Sequence, residues 1–248
     1  MMDEPPRLES IDITEFTVGA MLRAGLAVRR VVKDADTMEE ASNAIVRFLY
    51  DELVGRDGAR ACALVRLYKT HAFETLPRPE QEFARAQLGA IPLTPGLRCL
   101  ALLATAGDEE AWNSRELSRG HRAIPLPSAE TVRAAPMIAR LLEQLGVDME
   151  SVIHGGSSRP REGRTYDIFH VPEALGSAYI PAQDEFVAPY GIRSVVGFGG
   201  LLRAGELYAV ILFSRVDIPP ASAARFRTIA LDVRSALFAL DESRTWRE

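Results

Sequence analysis

The chain has 248 residues, 47% hydrophobic and 25% charged, with a net charge of −5 and an isoelectric point near 5.5. That length allows one large or two small domains with a proper core, and the acidic balance gives no electrostatic reason to expect nucleic acid. The longest apolar runs, such as 207–213, fall far short of a membrane span, and the opening MMDEPPRLES has neither the basic start nor the apolar segment of a secretory signal, so a cytoplasmic protein is expected.

In chain order, residues 1–14 read as a flexible N-terminal tail. Asp12 and Glu15 make a D-x-x-E capping pattern ahead of an apolar-rich stretch running to Val32. Thr37-Met38-Glu39-Glu40 is a clearer helix start, because the threonine oxygen can accept from a free backbone N–H while Glu40 reaches back. Met38, Ala41, Ile45, Phe48, Leu49 and Leu53 then recur at helical spacing until Gly55. Asp57-Gly58 supplies a turn, and RACALVRLYKTH (60–71) reads as a strand. A helix over 79–89 leads to a second strand, LRCLALLATA (97–106). A long connection carrying Trp112, Arg115 and SRGHRAIPLP precedes a helix over 129–145, kinked by Pro136.

HGGSSRPREGR (154–164) has the small, polar, basic composition of a mobile loop dispensable for folding. A short strand over 166–171 follows, and the chain finishes with a helix over 219–241, its two prolines suited to a first turn. Residues 242–248 read as a C-terminal tail. No shift of composition marks a boundary, so 15–241 reads as a single domain. Cys62 and Cys99 each sit in an apolar run and read as reduced core thiols.

The segment YGIRSVVGFGGLLRAGELYAVILFS (190–214) decides between a nucleotide loop and a hairpin. A dinucleotide loop needs a helix opening directly behind its glycines, whose free N–H groups meet the pyrophosphate. Here Leu202 stands where G-x-G-x-x-G needs its last glycine, and β-branched and aromatic residues continue on both sides. The expectation is an antiparallel hairpin, 194–202 with 206–214, turning at Arg203-Ala204-Gly205-Glu206. The glycines then mark close packing or a bulge, and strands apolar on both faces belong inside a sheet covered on each side. Consecutive strands joined by a tight turn argue for an antiparallel α+β domain.

The run from Tyr190 to Leu237 resembles the closing section of a GAF domain: a hairpin with a G-E-L-x-A-V turn exit, a short linker and a returning C-terminal helix. TMEEASNAIVRFLYDEL and ACALVRLYKTH resemble the opening helix and first strand of that fold. LRCLALLATAGDEEAWNSRELSRGHRAIPLP is similar to what precedes the pocket in GAF-like input modules of bacterial sensor kinases. The resemblance covers about residues 15–240. It implies a central antiparallel sheet, helices on one face and a loop- and helix-covered small-molecule pocket on the other.

It further implies a sensory domain of bacterial signal transduction, standing alone or as the input module of a larger sensor such as a histidine kinase in a two-component system; a homodimer through the terminal helices is expected from the last helix. The alternatives are a ligand-free GAF-type dimerisation module or a GAF-fold thiol reductase using Cys62 and Cys99. The chain lacks the N-K-x-D-E-type signature of cyclic-nucleotide binders, offering only Asp184-Glu185. It also lacks a cysteine followed by histidine where a bilin would attach. The resemblance places Trp112, Arg115, His121, His170 and Tyr179 over the pocket, a mixture of aromatic faces and polar groups suited to a small ligand.

Other chemistry is weak. His71, His121, His154 and His170 have no metal-ligand spacing, and no metal is expected. HGGS (154–157) has no accompanying G-x-S-x-G elbow. Asp108-Glu109-Glu110 reads as a solvated acidic run, and no phosphate loop or kinase signature occurs. No catalytic residue is assigned. In the last helix, Phe226, Ile229, Ala230, Val233, Leu237 and Leu240 share the face assigned to the sheet. Leu231 and Phe238, seven apart on a second face, suggest a seam with residues 16–32 of a second copy.

Overall fold

A computed structural model describes residues 10–155, 167–202, 205–238, 240 and 244–247. The first described element is β1 (Ile11–Asp12), which pairs in parallel with β2 (Leu53–Val54). Composition suggests a tail through residue 14, yet Ile11 and Ile13 are buried, because β1 gives their side chains a place in the main core. The Asp12 carboxylate accepts from the N–H of Thr14 at 2.8 Å, an Asx turn within the loop. Helix α1 (Val18–Val31) is capped instead by Thr17, whose hydroxyl accepts from Ala20 N–H. Helix α2 (Met38–Glu52) starts at Thr37 as expected: its hydroxyl accepts from Glu40 N–H at 3.1 Å, and the Glu40 carboxylate reaches back to the N–H of Asp36.

The sheet is built from β3 (Cys62–Ala72), β4 (Arg98–Gly107), β5 (Ala123–Pro125), β6 (Phe169–Val171), β7 (Ser194–Leu201) and β8 (Leu207–Ser214). Its order is β5-β4-β3-β8-β7-β6, and every neighbouring pair is antiparallel. The hairpin forms in the expected register, with Leu201 opposite Leu207 and Ser194 opposite Ser214. Gly205 has φ +77°, a conformation that costs glycine little; Arg203 and Ala204 lie outside the described residues. Gly199 marks close packing, since a Cβ there would overlap the carbonyl oxygen of Tyr208 on the facing strand.

Helices α1, α2 and α7 (Pro220–Phe238) cover one face. Phe226 of α7 stacks on Phe198 of β7 at 5.4 Å and meets Phe16 at 5.0 Å. Burying one such ring contributes roughly 2–3 kcal/mol. The predicted inner face of α7 is confirmed by the burial of Phe226, Ile229, Ala230, Val233 and Leu237. Helix α1 packs one face on α7 of its own chain, where Arg29 pairs with Asp232 at 2.6 Å, and leaves Val18, Leu22 and Leu26 exposed on the other. Phe238 is half-buried beneath the Arg234 guanidinium, while Leu231 is exposed.

The other face carries α4 (Ala129–Arg133), α5 (Pro136–Gln144) and α6 (Met149–His154). The single kinked helix expected over 129–145 is broken in two. Ala135, at φ −104° and ψ 89°, leaves the helical region, which a following proline disfavours, and Pro136 opens α5 at its first turn. Helix α3 (Arg78–Leu88) lies beside β5 and covers Phe73, Leu97 and Cys99. His154 ends α6; residues 156–166, most of the expected mobile loop, lie outside the described residues. The C-terminal residues 244–247 are docked, not trailing: Thr245 is buried, its carbonyl accepts from Glu39 N–H, and the Trp246 ring lies 5.0 Å from His71.

Candidate functional site

Between the sheet and the α4–α6 side lies a cavity of about 330 Å³, within the range of small-molecule sites. Its floor is β3 and β8. Strand alternation turns Leu64, Arg66 and Tyr68 towards it and sends Val65 and Leu67 into the helical side. Pro136, Met137, Ile138 and Leu141 of α5 form one wall. Leu141 reaches over β7 at Gly197, where an added Cβ would stand 3.0 Å from its methyl group.

The cover comes from irregular backbone that Gln183 holds together. Its amide nitrogen donates to the carbonyls of Ile180 and Ala174 at 2.6 and 3.0 Å, and its amide oxygen accepts from Gly176 N–H at 2.8 Å. This turns Ile180, Pro181 and Ala182 onto the cavity and starts a wide turn over Gln183–Val187 that places Glu185 and Phe186 on its lining. One end is aromatic. Trp112 packs against Phe186 and Tyr190, at 5.6 and 4.6 Å between centroids, and Phe186 meets Phe213 edge-on at 5.0 Å. The indole can lie there because β4 ends in Gly107, where a Cβ would come within 2.8 Å of it. Asn113 fastens the loop, donating to the carbonyls of Gly107 and Glu109 at 2.9 and 2.8 Å.

The polar groups converge from the other side. Arg66 is 9% exposed. Its guanidinium donates to the Tyr68 hydroxyl and the Ser118 hydroxyl, both at 3.2 Å, and its Nε–H has no partner. Ser118 is oriented by donating to Gly120 O at 3.1 Å. His121 stands on the rim with φ +59°; partial burial and the nearby Arg66 charge hold its imidazole below the ordinary range.

Of the five residues expected over the pocket, Trp112 and His121 line the cavity. Arg115 is drawn elsewhere, into buried ion pairs with Glu39 at 2.7 Å and Glu80 at 2.6 Å, because both carboxylates need a cation out of water. His170 faces the wrong way: alternation along β6 gives Phe169 and Val171 to the cavity-side core and lays His170 by the backbone of Ile218, where burial lowers its pKa. Tyr179 points outward beneath Arg140 at 5.7 Å, and its neighbour Ile180 takes the inward place. Sequence reasoning passed over Arg66 and Tyr68. Their signal was present, an arginine in the middle of the apolar strand ALVRLY.

The remaining candidate chemistry is occupied. Cys62 and Cys99 are buried and their thiols are pushed up to about 12, chiefly by burial, which leaves them protonated and shielded. Asp108 accepts from the Tyr50 hydroxyl at 2.6 Å and pairs with Arg215, and Glu109 accepts from Tyr190. Among the described residues, no three metal-ligating side chains cluster, and no helix is long and apolar enough to cross a membrane.

No protein-family profile matches the chain, and no curated protein matches it. Solved structures similar to it include the GAF domain of an Acinetobacter phosphoenolpyruvate-protein phosphotransferase, at 11% identity and TM-score 0.42, covering 88% of this chain and 92% of that one. A phycoerythrobilin-bound GAF domain from a cyanobacterial phytochrome stands at 14% and 0.43, covering 88% and 94%. The N-acylhomoserine lactone-dependent LuxR-family factor CepR2 of Burkholderia cenocepacia stands at 13% and 0.42, covering 91% and 97%. With an antiparallel sheet, helices on one face and a covered cavity on the other, the protein has a GAF-like α+β fold.

Proposed function

We propose that the chain is a sensory domain that binds a small molecule in the cavity between β3, β8, α5 and the Gln183 cover. The observation that carries this reading is the cavity itself: about 330 Å³, apolar over most of its lining, with Arg66, Tyr68, His121 and, at the cover, Glu185 as its polar groups. Trp112 and His121 are its ligand-contacting residues from the original candidates. The ligand acts by favouring one packing of the cover and α5 over another, which requires tighter binding to one conformer. Fluorescence of the neutral dye N-phenylnaphthylamine tests the reading. Wild type should bind it, and Met137→Trp, which narrows the cavity from the α5 wall, should bind it more weakly. A wild type that leaves the dye in water would remove the proposal.

The output belongs to the outer faces of the terminal helices in a homodimer, serving an input role in bacterial signalling such as that of a histidine kinase. Val18, Leu22 and Leu26 recur every fourth residue on α1 and are each more than half exposed, as is Leu231 on α7. Light scattering decides this part. Leu22→Glu with Leu26→Glu should give a folded monomer from a wild-type dimer, and a monomeric wild type at high concentration would overturn it.

A further inference from the structure

We infer that the cavity recognises a monocarboxylate with an apolar body, its carboxylate paired with Arg66; this rests on the small-molecule reading above. The guanidiniums of Arg98, Arg115 and Arg122, the last two fixed on Glu80, all have a carboxylate within 3.8 Å. Arg66 is as deeply placed, yet among the described residues no carboxylate lies within ion-pair reach of it. Its two hydrogen bonds go to neutral hydroxyls; its buried Nε–H, like those of Arg98 and Arg122, has no acceptor among the described residues, so the missing carboxylate is what sets Arg66 apart. A cation held out of water in this way is costly to the empty protein. The side chain lines the cavity, where an entering anion supplies the missing charge and acceptors together. The guanidinium fork is shaped for a carboxylate's paired oxygens.

The rest of the lining limits that anion to a single charge. Among the described residues His121 is the only other basic group on it, and burial with the Arg66 charge keeps its imidazole neutral over more of the pH range than usual. Glu185 stands at the cover and repels a second negative group. The opposite end, with Trp112, Phe186 and Phe213, offers aromatic faces to an acyl or aryl body. Phosphate-rich ligands find no second full cation among the described lining residues, and a neutral ester or lactone would leave the guanidinium uncompensated.

The test uses displacement of bound N-phenylnaphthylamine near about pH 8, where a carboxylic acid is ionised. Phenylbutanoate and octanoate are each compared with their methyl esters, which keep the shape and remove the charge. In wild type the acids should displace the dye at about tenfold lower concentration than the esters. Arg66→Met should still bind the dye and lose the preference, and Arg66→Lys, keeping the charge without the fork, should retain part of it. Equal displacement by acid and ester in wild type would overturn the Arg66 assignment while leaving the cavity reading standing. So would a preference that survives in Arg66→Met. Should Arg66→Met fail to fold, Arg66→Lys and the wild-type comparison decide alone. Failure of wild type to bind the dye at all would overturn both readings.

Discussion

Gly25 on α1 and Asp232 on α7 meet without room for a methyl group: a Cβ at position 25 would stand 2.9 Å from the Asp232 carboxyl carbon. Asp232 is held in place by Arg29, with bonds of 2.9 and 2.6 Å to Nε and Nη2. Gly25→Ala should therefore destabilise by about 1–3 kcal/mol, despite a gain of up to about 1 kcal/mol in helix propensity. Gly19, on the same helix, is exposed with nothing closer than 3.7 Å to its missing Cβ, and Gly19→Ala should be neutral or slightly stabilising. Denaturant unfolding of the two variants separates close packing from propensity. Equal effects would mean the two helices part easily.

Arg115 holds three pieces together. It pairs with Glu39 on α2 and Glu80 on α3, and lies 5.0 Å over the Trp246 ring of the docked C-terminus. Both carboxylates are buried, and Arg115→Met leaves Glu39 without a cation. Stability should fall by about 3 kcal/mol, while dye binding in the folded fraction stays within about twofold of wild type. Lost binding at unchanged stability would return Arg115 to the ligand site.

His71 sets a pH dependence. Burial first, then the charges of Lys69 and Arg98, hold its pKa well below the ordinary 6.5. The unfolded chain therefore binds more protons than the native one below pH 6.5. The stability from keeping His71 neutral is full above that value and is lost as pH falls through the window beneath it, by up to about 1.4 kcal/mol per pH unit. Unfolding measured from pH 7 down to pH 5 should show this slope, and His71→Leu should flatten it by about one proton. An unchanged slope would place the acid sensitivity elsewhere, with His121 and His170 next in line.

Trp112 and Trp246 are the chain's two tryptophans, so Trp246→Phe leaves Trp112 as a reporter at the cavity wall. Dye bound in the cavity should quench its emission strongly by energy transfer. In Gly107→Ala, whose new methyl group occupies the space of the indole, the free-protein emission should shift to longer wavelength and dye binding weaken severalfold. Binding without quenching would locate the dye outside the cavity.

Much of the fold was legible locally. The Thr37 cap, the apolar face of α7 and the hairpin around Gly205 are each set by residues within one or two turns of chain, where spacing and backbone preference decide. Even the glycines of β7 announced close packing before any partner was known. The candidate site was legible only in part, because a side chain's direction depends on which face of which strand meets the cover. His170 and Phe169 are neighbours in sequence and lie on opposite faces of the sheet. Arg115 was drawn to carboxylates contributed by α2 and α3, far away in the chain, and Ile180 took the inward place beside Tyr179.

By itself the sequence determined the long helices and strands, the antiparallel α+β class and the inner face of α7, because periodicity acts over short stretches, while the short elements β1, β2, β5 and α6 gave no such pattern. Only the tertiary structure decided that Arg66, a charge within a mostly apolar strand, lines a cavity and has no carboxylate within ion-pair distance among the described residues. That follows from long-range packing: β4, β8 and α5 must close around β3 before it is known which buried charge acquires a partner and which does not.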